Sequence, residues 1–175
     1  YQFGDDNFTQ LLIPNWKVGL TGFIASSIVL SLLSTLILSI VNAVLLLIFL
    51  DSTLKNYLEF TMFLDVTIRV MIFAIVLTLL AIFLIRLTKK SMSSLIAIVL
   101  LLVITLSGIL RGISSKLENL LPLIGAKSFA FGRIEGTQTS QLYGFTLLVV
   151  EGILFLVLII VVEKIRMGRK NGKSI

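Results

Sequence analysis

The stretch DVTIRVMIFAIVLTLLAIFLIRLTKKSMSSLIAIVLLLVITLSGIL, residues 65–110, decides the fold. Val70 to Ile85 is apolar but for Thr78. Arg86, Lys89 and Lys90 follow within five residues. Leu95 to Leu110 is apolar again, broken by Thr105, Ser107 and Gly108. Two apolar runs around a tight basic cluster read as two membrane spans joined by a short turn. Short basic loops stay on the cytoplasmic side because carrying Lys or Arg across the bilayer is costly. The turn of Arg86, Lys89 and Lys90 is therefore predicted to be cytoplasmic and to fix the sidedness of the chain around it.

Composition agrees. Of the 175 residues 57% are hydrophobic and 14% charged, against about 25% charged in a soluble domain. The predicted class is an all-α, polytopic membrane helical bundle forming a single transmembrane domain over 1–175. Fifteen Lys and Arg against nine Asp and Glu give a net charge of +6. Five of the cations follow Val162, and in a membrane chain such a tail reads as a topology signal that attracts anionic headgroups, not as a nucleic-acid site. With no Cys and no His, disulfides, thiol nucleophiles, imidazole bases and the commonest metal ligands are excluded.

Before the basic turn, residues 1–17 read as a cytoplasmic amphipathic segment. Phe8, Leu11 and Leu12 fall on one helical face behind Asp5, Asp6 and Asn7 as N-cap candidates, and Pro14 ends it. Trp16 and Lys17 are expected to anchor at the interface. The first span is 18–50. On it Ser27, Ser31, Thr35, Ser39 and Ala43 recur every fourth residue, a helix-interface ladder that lets another helix approach closely; Asn42 adds a polar group near the outer end. The loop 51–59 is expected outside, and the second span is 60–85. Asp65 and Arg69 form an i, i+4 pair of opposite sign on it.

Beyond the turn, the third span is 91–110. Residues 111–141 are read as an outside helical hairpin: Ser115 with Glu118 has the capping-box pattern, Leu117, Leu120, Leu121 and Ile124 share a face, and Pro122 kinks or ends that helix. The fourth span is 142–162, with a basic cytoplasmic tail over 163–175. Glu151 lies within the fourth span, and intramembrane carboxylates mark functional sites or pair with a neighbour. Arg69 falls at a similar depth, so an Arg69–Glu151 pair between the second and fourth spans is expected.

No constellation supports catalysis, and no cofactor or metal site is expected on this chain. Gly168 to Ser174 (Gly-Arg-Lys-Asn-Gly-Lys-Ser) imitates a phosphate-binding loop but is one residue short between its glycines and follows a membrane span instead of a strand.

Three stretches carry a family resemblance. Leu11 to Thr21 (Leu-Leu-Ile-Pro-Asn-Trp-Lys-Val-Gly-Leu-Thr) looks like a cytoplasmic stretch leading from a second span into a third. Thr88 to Ser107 looks like the start of a fifth span, and Leu120 to Gly125, with Pro122, like the outside element before a sixth. In this order the chain resembles the latter two-thirds of a type-2 ABC exporter permease, a six-span bacterial subunit without its own ATPase. The resemblance implies that the chain, which opens on Tyr1, is preceded by two spans and an interfacial helix. It also implies a bacterial plasma-membrane location, a second permease subunit in a homo- or heterodimer, and export of a peptide or other amphipathic substrate. ATP and Mg would be bound by a separate cytoplasmic ABC ATPase subunit, docked through the segment holding Phe8, Leu11 and Leu12. The rival from another class is a self-contained four-span immunity or scaffold protein without transport activity. A start codon close upstream of Tyr1 favours the rival; a neighbouring gene for a Walker-A ATPase favours the permease.

Overall fold

The computed structural model describes residues 16–50, 60–107, 129 and 141–171. Among them the chain is a bundle of four helices: α1 Trp16–Phe49, α2 Phe60–Thr88, α3 Ser91–Ser107 and α4 Gln141–Asn171. The segment with Phe8, Leu11 and Leu12, the loop 51–59, the hairpin 111–141 apart from Phe129 and Gln141, and 172–175 lie outside the described residues.

Helix is the necessary outcome for these sequences. In hydrocarbon no water satisfies a backbone N–H or C=O, so a spanning segment must bond its own. Side-chain hydroxyls follow the same rule. Thr35 Oγ1 donates to the Ser31 carbonyl at 2.8 Å, Thr67 Oγ1 to Phe63 at 2.8 Å and Thr78 Oγ1 to Ala74 at 2.7 Å. Among the described residues no buried side-chain N or O lacks a hydrogen-bond partner.

α1, α2 and α4 are each long and apolar enough to cross a membrane. At ~1.5 Å per residue, the 34 residues of α1 reach well beyond a hydrocarbon core of about 30 Å. α3 is described over 17 residues, with 108–110 beyond the described part. Large apolar side chains lie exposed along all four helices, among them Leu30, Leu38, Phe60, Met92, Leu142 and Val150. Apolar surface that continuous belongs against lipid, and the protein is a membrane-embedded, polytopic helical bundle.

The helices run past the boundaries that charge suggests. α2 continues through Arg86 to Thr88, so Arg86 is helical and the turn is reduced to Lys89 and Lys90. α4 continues from the fourth span through Glu163 and Arg166 to Asn171, which makes most of the expected tail helical. Leaving the apolar layer does not end a helix, and no proline interrupts either segment.

α2 is the centre. It packs against α1 and α4, and more lightly against α3. Of the eight buried apolar residues in the core, Val76, Leu79, Leu80 and Ile82 come from α2; Leu20 comes from α1, and Leu148, Phe155 and Ile159 from α4. α2 and α4 are parallel neighbours. A Cβ on Gly152 would meet Val76 Cγ2 at 3.6 Å, the Phe83 and Phe155 rings stack at 6.3 Å, and Arg86 reaches Glu163. Gly152 is buried on this α4 face, where the missing side chain allows close approach. α1 is antiparallel to α2: Ser31 Oγ donates to the Ala74 carbonyl at 3.5 Å and Phe23 lies beneath Arg86. Ser27, Ser31, Thr35, Ser39 and Ala43 are all half-buried while most of their neighbours are exposed. Ser31 of the ladder thus faces α2 of the same chain.

Candidate functional site: the basic end of the bundle

The α2–α3 connection is built from two side chains, Thr88 and Ser94, and two residues of turn. Lys89 N donates to the Ile85 carbonyl at 2.9 Å, and Lys89 takes φ 57°. This is the left-handed conformation that closes many helices, ordinarily on glycine. Three hydrogen bonds then run head to tail. Lys90 N donates to Thr88 Oγ1 at 3.3 Å, Thr88 Oγ1 and Ser94 Oγ are 2.7 Å apart, and Ser94 Oγ donates to the Lys90 carbonyl at 2.9 Å. Ser94 is 0% exposed. The closed circuit satisfies its hydroxyl and pins the start of α3 to the end of α2.

One turn earlier stands Arg86. Its Nη1 is 3.5 Å from Glu163 Oε2 on α4, and its guanidinium carbon lies 5.2 Å from the centre of the Phe23 ring on α1. Glu163 is 7% exposed, so this is a buried carboxylate held by a cation, with an aromatic face taking the other side of the guanidinium. One side chain therefore joins three helices. Lys89, Lys90 and Lys164 are exposed around it, and Lys17 and Arg166 lie at the same end. Among the described residues Glu163 is the acid at this end.

At the opposite end Arg69 Nη2 is 2.6 Å from Asp65 Oδ2 and Arg69 Nη1 donates to the Phe129 carbonyl at 3.2 Å. The Phe129 ring lies 5.8 Å from the guanidinium and 5.4 Å from the Phe145 ring of α4. Arg69 is thus engaged by Asp65 and Phe129, not by Glu151. The Arg69–Glu151 expectation counted depth alone, and the i, i+4 carboxylate on the same helix is the nearer partner. Glu151 is half-buried on α4. Among the described residues an ion pair between α2 and α4 is seen at Arg86–Glu163. The sequence signal for it was present: a lone acid among the cations that follow Val162, at the same level as Arg86.

Among the described residues no three His, Cys, Asp or Glu side chains gather as metal ligands. Gly168 to Asn171 lies within α4, and a helical backbone cannot fold its amides around a phosphate. What this end does present is charge, on a junction of helix ends joined by hydrogen bonds and an ion pair. Comparison with family models, with characterised proteins and with solved structures finds no match to this chain.

Proposed function

We propose that the chain is the transmembrane permease subunit of an ABC exporter in a bacterial plasma membrane, with its basic end cytoplasmic. It would form, with a second permease subunit, the path for a peptide or other amphipathic substrate, driven by a separate ATPase subunit. The resemblance carried by Leu11 to Thr21, Thr88 to Ser107 and Leu120 to Gly125 supplies the reading.

The observation that supports it most is the outer side of α1. Gly22, Ser26, Ser34 and Asn42 are exposed on a membrane-embedded helix, interspersed with lipid-facing side chains such as Leu30 and Leu38. Lipid gives small and polar residues no advantage there, whereas they favour contact with another helix or a polar path. Inside the chain the described core is packed with Leu, Val, Ile and Phe, so a path would run along this outer face, between subunits.

The test is purification of the full-length protein in mild detergent with an assay for ATP hydrolysis. An ATPase subunit should co-purify, and replacing Phe8, Leu11 and Leu12 with Asp should release it. A stable complex without ATPase in gentle conditions would refute the proposal.

A further inference from the structure

Glu163 is buried against Arg86, so the acid at the basic end is already neutralised from within. Lys89, Lys90 and Lys164 are left exposed. Each stands beside exposed apolar side chains: Leu87 and Met92 flank the two lysines of the turn, and Ile165 follows Lys164. Cations within one turn of exposed apolar side chains sit at the boundary between hydrocarbon and headgroups, with the stem in one and the ammonium in the other. A surface made for a soluble acidic partner would set its lysines among polar residues, clear of the membrane.

A second observation concerns Lys89 itself. Its φ of 57° is a conformation that glycine adopts without penalty and a residue with a Cβ adopts at a cost. A lysine held there retains backbone strain that glycine would relieve, and such strain points to a role for the side chain. The ring of bonds through Thr88 and Ser94 fixes the turn, and so fixes where Lys89 and Lys90 emerge.

We infer that Lys89, Lys90 and Lys164 form a seat for anionic phospholipid headgroups at the junction of α2, α3 and α4. The inference stands apart from the transport reading, since it needs only a bilayer. An anionic surface attracts each interfacial lysine enough for about a fivefold preference per charge, and the three act on the same leaflet.

The single Trp of the chain makes the test local. In a Trp16→Phe background, Met92→Trp places a reporter at the seat, and Phe60→Trp places one at the other end of α2; both positions are 75% exposed. Quenching by dibrominated phosphatidylglycerol is compared with dibrominated phosphatidylcholine in reconstituted vesicles. The Met92 reporter should favour phosphatidylglycerol at least about fivefold, the Phe60 reporter should show no preference, and Lys89→Gln with Lys90→Gln and Lys164→Gln should abolish the effect. Lys89→Gly separates the role of the side chain from that of the fold: it should lower the preference while thermal stability holds or rises. Equal quenching by the two lipids at Met92, the same preference at Phe60, or a preference that survives the triple change would overturn the inference. So would a fall in stability with Lys89→Gly, or a basic end that retains an acidic protein and shows no lipid preference.

Discussion

Arg86 on α2 and Glu163 on α4 meet at 3.5 Å, one turn from the end of α2, with Phe23 of α1 on the other side of the guanidinium. The pair joins two parallel helices separated in sequence by α3 and residues 108–140. It sits where the bundle would otherwise splay, because the apolar packing of Val76, Leu79, Phe83 and Phe155 ends just before it. The clasp and the Thr88–Ser94 circuit together tie all four described helices at one end.

The two partners are not equivalent. Removing Arg86 strands a buried carboxylate, whereas removing the charge of Glu163 leaves a guanidinium that still has the Phe23 face and the membrane surface. Arg86→Gln should therefore destabilise the bundle by about 3 kcal/mol, and Glu163→Gln by clearly less. Adding Glu163→Gln to Arg86→Gln should restore part of the loss. Unfolding midpoints in mild detergent decide this, and additive losses would show that the pair does not act as a unit.

The α2–α4 contact depends on Gly152. Its nearest neighbours, Val76 Cγ2 at 3.6 Å and Leu79 Cδ1 at 4.0 Å from an added Cβ, leave room for a methyl group and no more. Gly152→Ala should change stability by less than about 1 kcal/mol. Gly152→Leu should cost about 1–3 kcal/mol by overpacking. The same detergent unfolding assay separates the two.

Ser31 makes the corresponding prediction for α1 and α2. Its hydroxyl touches the Ala74 carbonyl at 3.5 Å, a weak bond, so Ser31→Ala should be nearly neutral. Ser31→Leu with Thr35→Leu would wedge the helices apart, costing about 1–3 kcal/mol per site. In the permease reading it would also abolish export while membrane insertion persists. Export at the native rate from the doubly substituted protein would remove the ladder from the mechanism.

How much of this was legible in the chain follows from range. The apolar runs of α1, α2 and α4 announce themselves, because hydrocarbon thickness and backbone satisfaction act on consecutive residues. The ladder from Ser27 to Ala43 was visible as a spacing, but a spacing does not name its partner; Ala74 had to be seen. Charge was misleading at both helix ends. Arg86 and Glu163 mark where the apolar layer stops, and the helices continue past it. Depth counting brought Arg69 and Glu151 to one level without saying which way each side chain points, and Phe129, sixty residues from Arg69, carried no local signal. The left-handed Lys89 was equally hidden, since no glycine marks that turn.

The turn can be tested directly. Ser94→Ala removes the hydroxyl that closes the circuit between Thr88 Oγ1 and the Lys90 carbonyl, at a site with no exposure. A loss of about 1–2 kcal/mol is expected, and Ser94→Thr should cost more than Ser93→Thr, because Ser93 is exposed and Ser94 is fully buried. Equal effects at the two serines would contradict the packing of the turn.

The most direct measurement is sidedness. The chain has no Cys, so every thiol is an introduced one. Single cysteines at Met92, beside the basic turn, and at Phe60, at the other end of α2, are labelled with a membrane-impermeant maleimide in intact cells and again after permeabilisation. A bundle that crosses the bilayer about α2 with its basic end inside predicts that Phe60→Cys labels in intact cells and Met92→Cys only after permeabilisation. Labelling of both positions from the same side would contradict the account at its base.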